Sequence, residues 1–464
     1  MKIYNTLSRK IEDLMPIKDH EILFYHCGPT VYWVQHIGNL RAMTWADFIR
    51  RSFVYLGYTV KFVRNYTDVG HLTSDEDQGE DKMEKGARRE GKTPQEIADK
   101  YIKIFERDTR SLNIIEPDFK PRASEYISQM QEMIKTLIDG GYAYITDMAV
   151  VYDVSKFPGY NKLNHQKMDL NLAGAGHGTV EDPHKKHFAD FNLWVFKKGA
   201  HAKALQTWPS PWGEGFPGWH IECSVMAKSL LGETIDIHMG GVEHIPVHHT
   251  NEIAQSEAAN RKPFVHYWLH NEHLNVNSAK MAKSQGTGFT LKEIIDHGFS
   301  PLDLRYFFMS AHYRSKQNFT WEALKGAATA LTNLREAVLD LRALSPKPVE
   351  INRENGFKNT FESYLGNDFQ ISQALALVWE LLKSTISPGE KLALILDFDR
   401  VLGLDLDKVR DVKIPDNIRD LAEKRLVAKK SGNYAQADEL REEIKRLGYE
   451  VEDLKDGYKI KNMI

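Results

Sequence analysis

The sequence is poor in cysteine and lacks the features of secreted and membrane-spanning proteins. Only two cysteines, Cys27 and Cys223, occur in 464 residues, too few for a disulfide scaffold and typical of a reducing compartment. No apolar run approaches the roughly 18 residues that span a bilayer, and residues 1–6 contain no apolar signal core. We therefore expect a cytoplasmic protein without a membrane contact.

The chain also lacks an excess of charge of either sign. It contains 61 lysines and arginines against 64 aspartates and glutamates, a formal charge of −3. This balance excludes a polybasic protein whose whole surface attracts phosphate. With 42% hydrophobic and 27% charged residues, the composition is that of an ordinary globular protein. At roughly 150 residues per domain, the length predicts about three domains.

An alternation of strand and helix near the start predicts a parallel sheet. Residues 21–27 have the pattern of a buried strand, which the following glycine and proline end. A helix is predicted over about 38–56, and a second strand over 59–63. Strand, helix and strand at this spacing imply parallel strands, whose carboxyl ends face a ligand crevice. Cys27 and residues 65–68 lie at two of those ends.

The remaining pattern predicts an insertion and a helical second half. The polar stretch from Gly70 to about Lys92 is predicted to be a solvated loop, and its acidic part, 74–81, has no assigned role. Residues 140–218 are irregular and rich in Gly, Pro and Trp, which indicates an insertion with short strands. Residues 321–402 are almost wholly helical in pattern. Two helices and a hairpin that turns at 456–457 are predicted to close the chain.

Four residues near the predicted sheet edge form a candidate metal set. His248 and Glu252 are four apart on a predicted helix, so they share one face. Cys27 ends the first strand, and Cys223 lies near the same edge. Two thiolates, an imidazole and a carboxylate suit zinc. Because the chain has no CxxC pair, inert buried cysteines and an ordinary surface His–Glu pair remain alternatives.

Two further segments have the composition of nucleotide-binding loops. Residues 36–39 (His-Ile-Gly-Asn) lie between a strand end and a helix start, where backbone N–H groups and a histidine favour a phosphate. Residues 279–288 carry Lys280 and Lys283 between small residues, which suits a clamp on polyphosphate. A turn histidine and a plain solvated loop are the respective alternatives.

These two segments resemble the signature motifs of class I aminoacyl-tRNA synthetases. Three further segments narrow the resemblance to cysteinyl-tRNA synthetases: residues 27–32, 217–224 and 248–255. The similarity runs along nearly the whole chain. Two positions depart from the family pattern. Asn39 replaces a histidine in the first motif, and Ala282 replaces a serine in the second, Lys-Met-Ala-Lys-Ser. Both lysines of the second motif are kept.

The resemblance implies an α/β fold and a division into domains. It implies a Rossmann-like, parallel-sheet catalytic domain with an insertion, then a helical bundle and a small C-terminal α+β domain. The expected class I catalytic domain covers 1–300, with its insertion at about 110–215. The connecting region and helical bundle cover 301–410. Residues 411–464 are expected to bind the anticodon.

The resemblance also implies a two-step ligation. ATP and L-cysteine give cysteinyl-adenylate and pyrophosphate, and the cysteinyl group then passes to the 3′-terminal adenosine of tRNA(Cys). One zinc ion per chain would bind the substrate thiolate through Cys27, Cys223, His248 and Glu252. A soft metal prefers thiolate to hydroxyl, which would select cysteine over serine without an editing domain. Mg²⁺ should accompany the ATP, and we expect a monomer.

The implied site residues fall into three groups beyond the zinc ligands. The expected catalytic residues are His36, Asn39, Lys280 and Lys283. The expected ATP-binding residues are His36, Gly38, Asn39, Gly240, Gly241, Glu243 and Lys283. The expected cysteine-binding residues are Thr67, Trp219 and His238. Glu243 stands where the family more usually has aspartate.

The C-terminal segment from Pro415 contains as many basic as acidic residues. Anticodon reading therefore cannot rest on bulk charge and would need stacking on unpaired bases. Tyr434, Tyr449 and Tyr458 are candidates, with helix packing as the alternative.

Three competing functions remain. A ligase joining cysteine to an amino sugar would share the catalytic domain but lack the anticodon-reading tail. A zinc hydrolase would use His248 and Glu252 without needing the lysine motif. A catalytically silent tRNA-binding protein would not need the lysines or the four metal ligands.

Overall fold

The computed structural model of the chain describes residues 1–70, 82–165, 184–277, 279–280, 288–345, 349–351, 355–410, 415–454 and 457–462. None of the helices in these ranges combines the length and apolar character of a bilayer span. The described strands are β1 (Lys2–Asn5), β2 (Lys10–Asp13), β3 (Glu21–His26), β4 (Thr59–Arg64), β5 (Ala143–Ile145), β6 (Ala149–Tyr152), β7 (Phe191–Phe196), β8 (Gly215–Pro217), β9 (Ile235–Gly241), β10 (Val265–Asn271), β11 (Leu274–Val276), β12 (Ala279–Lys280), β13 (Gln317–Phe319), β14 (Tyr449–Leu454) and β15 (Gly457–Asn462). The described helices are α1 (Ile37–Tyr55), α2 (Lys82–Glu90), α3 (Pro94–Ser111), α4 (Ile127–Asp139), α5 (Trp219–Leu231), α6 (His248–Asn260), α7 (Leu291–Asp296), α8 (Pro301–Phe308), α9 (Trp321–Leu344), α10 (Gly356–Leu365), α11 (Ile371–Lys383), α12 (Pro388–Leu402), α13 (Asp416–Lys430) and α14 (Tyr434–Arg446).

A four-stranded parallel sheet with the order β10–β9–β3–β4 organises the N-terminal half. β3 reads Glu-Ile-Leu-Phe-Tyr-His and is buried from its second residue onward, as expected of a strand covered on both faces. α1 connects β3 to β4, so the predicted strand–helix–strand unit and the α/β fold class are confirmed. Leu40, Phe48, Ile49 and Phe53 of α1 are completely buried, which fixes this helix on the sheet.

Smaller sheets surround the parallel one. β5 to β8 form an antiparallel sheet within the predicted insertion. β11 pairs with β12 on one side and β13 on the other. The predicted helical region is present as α9 to α12, and β14 pairs with β15 as the predicted closing hairpin. The boundaries at 300 and 410 remain predictions.

The prediction of a loop from Gly70 to Lys92 is wrong for its second part, because residues 82–90 form helix α2. Met83, Gly86 and Ala87 are buried against α3. These three residues recur at a helical spacing, but the many charges around them hide the apolar stripe. The acidic stretch 74–81 lies outside the described residues.

The first strand joins two distant parts of the chain. In β1, the Lys2 N–H donates to the Gly366 carbonyl at 2.7 Å, and the Tyr4 N–H donates to Asp368 Oδ1 at 3.0 Å. Just after β1, the Thr6 N–H donates to the Trp268 carbonyl in β10 at 2.9 Å. This segment therefore links the parallel sheet to the helical bundle.

Candidate metal centre and nucleotide site

Two thiols, an imidazole and a carboxylate meet at the carboxyl end of β3. Cys27 directly follows β3, and its N–H donates to the Met239 carbonyl of β9 at 3.1 Å. Cys223 lies on α5, while His248 and Glu252 lie one turn apart on α6, which packs against α5. Their donor atoms all lie within 4.8 Å of one another, and all four residues are buried.

The distances within this set fit a tetrahedral metal. The two Sγ atoms are 4.0 Å apart, and His248 Nε2 lies 3.0 Å from Glu252 Oε1. Around a tetrahedral zinc, with bonds of roughly 2.3 Å to sulfur and 2.0–2.1 Å to nitrogen or oxygen, these separations would be about 3.8 and 3.3 Å. Small shifts of the donor atoms would therefore suffice to hold the ion.

The electrostatics favour the metal-binding form at Cys223 and Glu252, whereas a raised pKa favours the thiol at Cys27 and the protonated imidazole at His248. Hydrogen bonding from Cys27 and His248 lowers the pKa of Cys223 to about 6, against the opposing effect of burial. Burial raises the pKa of Cys27 well above its usual value, and its neighbour Cys223 adds to this. Although burial opposes its ionisation, His238 and His248 lower the pKa of Glu252 to about 2. One thiolate and one carboxylate are thus present near neutral pH before a cation binds.

Histidines that the sequence pattern did not single out enclose the same site. His249 Nε2 lies 3.4 Å from Cys27 Sγ, and its Nδ1 lies 2.8 Å from His270 Nε2. Together with His238 and Glu252, Cys27 and His249 form a second possible ligand group. The signal was present in the sequence, since His249 adjoins His248 on a predicted helix. Only the packing of α6 on the sheet shows that both imidazoles face inward.

The expected cysteine-binding residues lie around this set. His238 is completely buried, and its Nε2 lies 2.9 Å from Glu252 Oε2. The Trp219 ring centre lies 4.4 Å from that of His248. Thr67 Oγ1 donates to Glu222 Oε2 at 3.2 Å. Sequence reasoning missed Glu222, a fully buried carboxyl whose pKa burial raises well above its usual value.

The first motif lies where β3 gives way to α1. His36 is the N-cap of α1, and its Nδ1 accepts from the Asn39 N–H at 3.3 Å. Asn39 Nδ2 donates to Gln35 Oε1 at 2.8 Å. Both residues are partly exposed at a helix N-terminus, a position that suits an anion. Gly38 lies between them, within the first turn.

The end of β9 also requires glycine. A Cβ atom on Gly240 would lie 2.5 Å from His244 Nδ1, and one on Gly241 would lie 2.3 Å from the Glu243 carboxylate. The Glu243 carboxylate itself lies 3.7 Å from His273 Nδ1. A side chain at Gly240 would therefore clash with His244 and His249 at this edge of the sheet, where parallel-sheet proteins bind nucleotides, whereas the Glu243 side chain could move away from one at Gly241.

The second motif is only partly covered by the structure. Lys280 belongs to β12, and its backbone pairs with Asn275 of β11. Lys283 lies outside the described residues, as does Ala282.

Comparison with known proteins identifies the family. Residues 13–329 match the tRNA synthetases class I (C) catalytic domain. A protein of Burkholderia lata called cysteine–tRNA ligase 1 is 41% identical over 100% of this chain and 97% of its own length. Proteins called cysteine–tRNA ligase from Treponema denticola and Caldicellulosiruptor saccharolyticus are 40% and 38% identical, and each alignment covers at least 98% of both chains.

The solved structure of Mycobacterium tuberculosis methionyl-tRNA synthetase with methionyl-adenylate shares the fold, with a TM-score of 0.59 at 14% identity over 84% of this chain and 93% of that chain. With full-length relatives at this identity and a matching catalytic domain, the chain belongs to the cysteine–tRNA ligase family of class I tRNA synthetases.

Proposed function

We propose that this chain activates L-cysteine with ATP and transfers the cysteinyl group to the 3′-terminal adenosine of tRNA(Cys). Membership of the cysteine–tRNA ligase family supports the reaction. The observation that carries the proposal for this chain is the buried group of Cys27, Cys223, His248 and Glu252. Trp219 and His238 are in contact with this group, and Thr67 contacts Glu222, the neighbour of Cys223 in the chain.

We assign the zinc site to those four residues, with one ion per chain. When bound, zinc supplies a soft Lewis acid for the substrate thiolate, a preference that a pocket measuring only shape cannot provide. The chain's own side chains position two of the four ligands. His238 orients Glu252 through a 2.9 Å contact, and the Trp219 ring packs on His248, so each of the two ligands on α6 is in contact with a neighbouring side chain.

The nucleotide is assigned to the edge formed by α1 and β9. The N-terminus of α1, with His36, Gly38 and Asn39, would bind the phosphates, and Gly240, Gly241 and Glu243 would border the adenosine. Lys280 and Lys283 would neutralise charge on the leaving pyrophosphate. These groups position the reactants and stabilise charge, with no covalent role for the protein. Mg²⁺ is expected with the ATP.

The tail is assigned to the anticodon, within the proposed division into a catalytic domain (1–300), a connecting region with a helical bundle (301–410) and an anticodon-binding domain (411–464). Of the three candidate tyrosines, Tyr434 is 64% exposed. Tyr449 and Tyr458 pack against the small core of this domain, and the Tyr458 hydroxyl donates to Glu423 Oε2 at 3.0 Å. Tyr434 is therefore the tyrosine available for stacking on a base.

One experiment tests the activation step and a second tests the transfer. ATP–pyrophosphate exchange should require cysteine and should not exceed background with serine or without an amino acid. Charging of tRNA(Cys) should then follow with the same protein. Exchange with cysteine but no charging of tRNA, together with coupling to an amino sugar, would support the amino-sugar ligase instead. Hydrolase activity without exchange would support the zinc hydrolase.

A further inference from the structure

Helix α1 carries a buried arginine two residues beyond Asn39. Arg41 is only 1% exposed, and all three nitrogens of its guanidinium donate hydrogen bonds. It donates from Nε to Gln317 Oε1 at 2.9 Å, from Nη1 to the Glu272 carbonyl at 2.6 Å, and from Nη2 to the carbonyls of His312 and Ser315 at 3.0 Å each.

All four acceptors belong to the segments that hold the small sheet β12–β11–β13. Glu272 lies two residues before β11, and Gln317 is the first residue of β13. The Gln317 side chain is itself fixed, because its Nε2 donates to the Phe307 carbonyl at 2.7 Å. Lys280 is paired in β12 with the central strand β11. Arg41 thus connects α1 to the sheet from which the lysine motif begins.

A second tie joins α1 to the chain beyond the lysine motif. The Ile37 N–H donates to the Phe289 carbonyl at 2.8 Å, and His36 forms an isolated β-bridge with Thr290. The first turn of α1 is therefore joined to the chain before Lys280 through Arg41 and after Lys283 through Ile37. The chain on each side of the lysine motif is therefore attached to the start of α1, which carries His36 and Asn39.

The hydrogen bonds of Arg41 fix the positions of neighbouring segments and do not pair its charge with a carboxylate. Within the described part of the chain, its acceptors are three carbonyls and one side-chain amide, and no carboxylate is among them. Burial lowers its pKa to about 10, so it remains protonated at neutral pH. Lysine, with a compact ammonium, cannot reproduce the planar fork that reaches four acceptors.

We propose that Arg41 is a positioning residue for adenylate formation: it fixes the first turn of α1, with His36 and Asn39, relative to the strand that carries Lys280. The inference rests on the proposed function. The phosphate-binding groups lie on two separate elements, and a misplacement of about 1 Å between reacting groups can cost roughly 10²-fold in rate.

The test compares Arg41→Lys with a control from the same core. Arg305 is completely buried and ties the other half of α1 to the bundle, since its Nη2 donates to Asp47 Oδ2 at 2.7 Å and its Nε to the Leu402 carbonyl at 2.7 Å. Arg41→Lys should lower the kcat of cysteine-dependent exchange about 10- to 100-fold with the KM for cysteine within about twofold. Arg305→Lys, at a comparable loss of thermal stability, should keep kcat within about threefold.

A double-mutant cycle with His36→Ala adds a readout that simple destabilisation does not move. If Arg41 acts through His36, the losses in kcat from Arg41→Lys and His36→Ala should fall well short of multiplying, whereas those from Arg305→Lys and His36→Ala should multiply. Equal kcat losses in Arg41→Lys and Arg305→Lys, or full multiplication with Arg41→Lys, would overturn the inference.

A milder variant keeps the inference testable if Arg41→Lys does not fold. Gln317→Leu removes one of the four acceptors of Arg41, together with the hydrogen bonds that Gln317 donates to Phe307 and Ser310. It should lower kcat about fivefold, again without a change in the KM for cysteine. An unchanged kcat in folded Gln317→Leu would overturn the inference. Absence of cysteine-dependent exchange in the wild-type chain would overturn the proposed function, and the inference with it.

Discussion

Replacing Cys223 by serine removes one of the two thiolates from the proposed metal set while nearly preserving the size of the side chain. Cys223 Sγ lies 4.0 Å from Cys27 Sγ, and the residue is 2% exposed. We expect the variant to lose zinc and cysteine activation. ATP affinity should stay near that of the wild type, because His36 and Gly240 lie outside the metal set.

The magnitude follows from what a metal ligand contributes. Loss of a group that merely orients a ligand costs 10- to 100-fold in metal affinity, so loss of a ligand itself should cost at least ~10²-fold, or about 2.8 kcal/mol. Because occupancy follows mass action, zinc supplied at about 100-fold higher free concentration should refill the site. Cysteine activation should then recover only in part, since a hydroxyl is a poorer ligand for a soft metal than a thiolate.

The assays are zinc content per chain, cysteine-dependent exchange and ATP affinity, measured on one preparation. Ala227→Ser is the matched control, because Ala227 lies one turn further along α5, is completely buried and is not in the ligand group. It introduces a hydroxyl at the same depth and should keep its zinc. A wild-type protein that is metal-free yet fully active would refute the reasoning, as would Cys223→Ser with full zinc and unchanged activation.

Three further predictions address other parts of the chain. Lys283→Ala should slow adenylate formation in single-turnover assays by about 10²–10³-fold, the usual effect of removing a donor aimed at developing charge. Cysteine affinity should be unchanged, and an unaltered rate would contradict the assignment. A chain ending after Arg410 should keep exchange activity, because Arg342 still binds the carbonyls of Leu406 and Val409. It should charge tRNA poorly, and equal charging by a folded, truncated protein would argue against anticodon reading. Tyr434→Ala should lower kcat/KM for tRNA charging by roughly 5- to 150-fold, the range for loss of one stacked base, without affecting exchange; unchanged charging would exclude Tyr434 as a stacking residue.

The sequence predicted the elements whose signals are local. The pattern of a buried strand and the Gly-Pro break located β3, and the periodicity located α1 to within one residue of its observed ends. The four-residue spacing of His248 and Glu252 correctly placed both on one helix. α2 was missed because its buried stripe, Met83 and Ala87, is short and lies among charged residues.

Contacts between distant segments were not predictable from local patterns. The position of His249 next to His248 did not show that its imidazole would lie against Cys27, 222 residues away, because this depends on how α6 packs against the sheet. Likewise, Arg41 reads as an ordinary helix residue, and its acceptors lie more than 200 positions further along. The resemblance to a family predicted that Cys27 and Cys223 share one site. Their spacing in the sequence alone could not predict this.

The attachment of β1 to the helical bundle sets a constraint on the order of folding during synthesis. Tyr4 and Asp368, joined by a hydrogen bond, are 364 residues apart in the chain. At roughly 5–20 residues per second, translation takes about 20–70 s to cover that distance. Over this interval the edge of β1 that Gly366 and Asp368 later cover has no native partner, so the parallel sheet acquires its final connection only after most of the bundle has left the ribosome. An exposed strand edge is open to pairing with other chains, so β1 is open to misassembly throughout this interval.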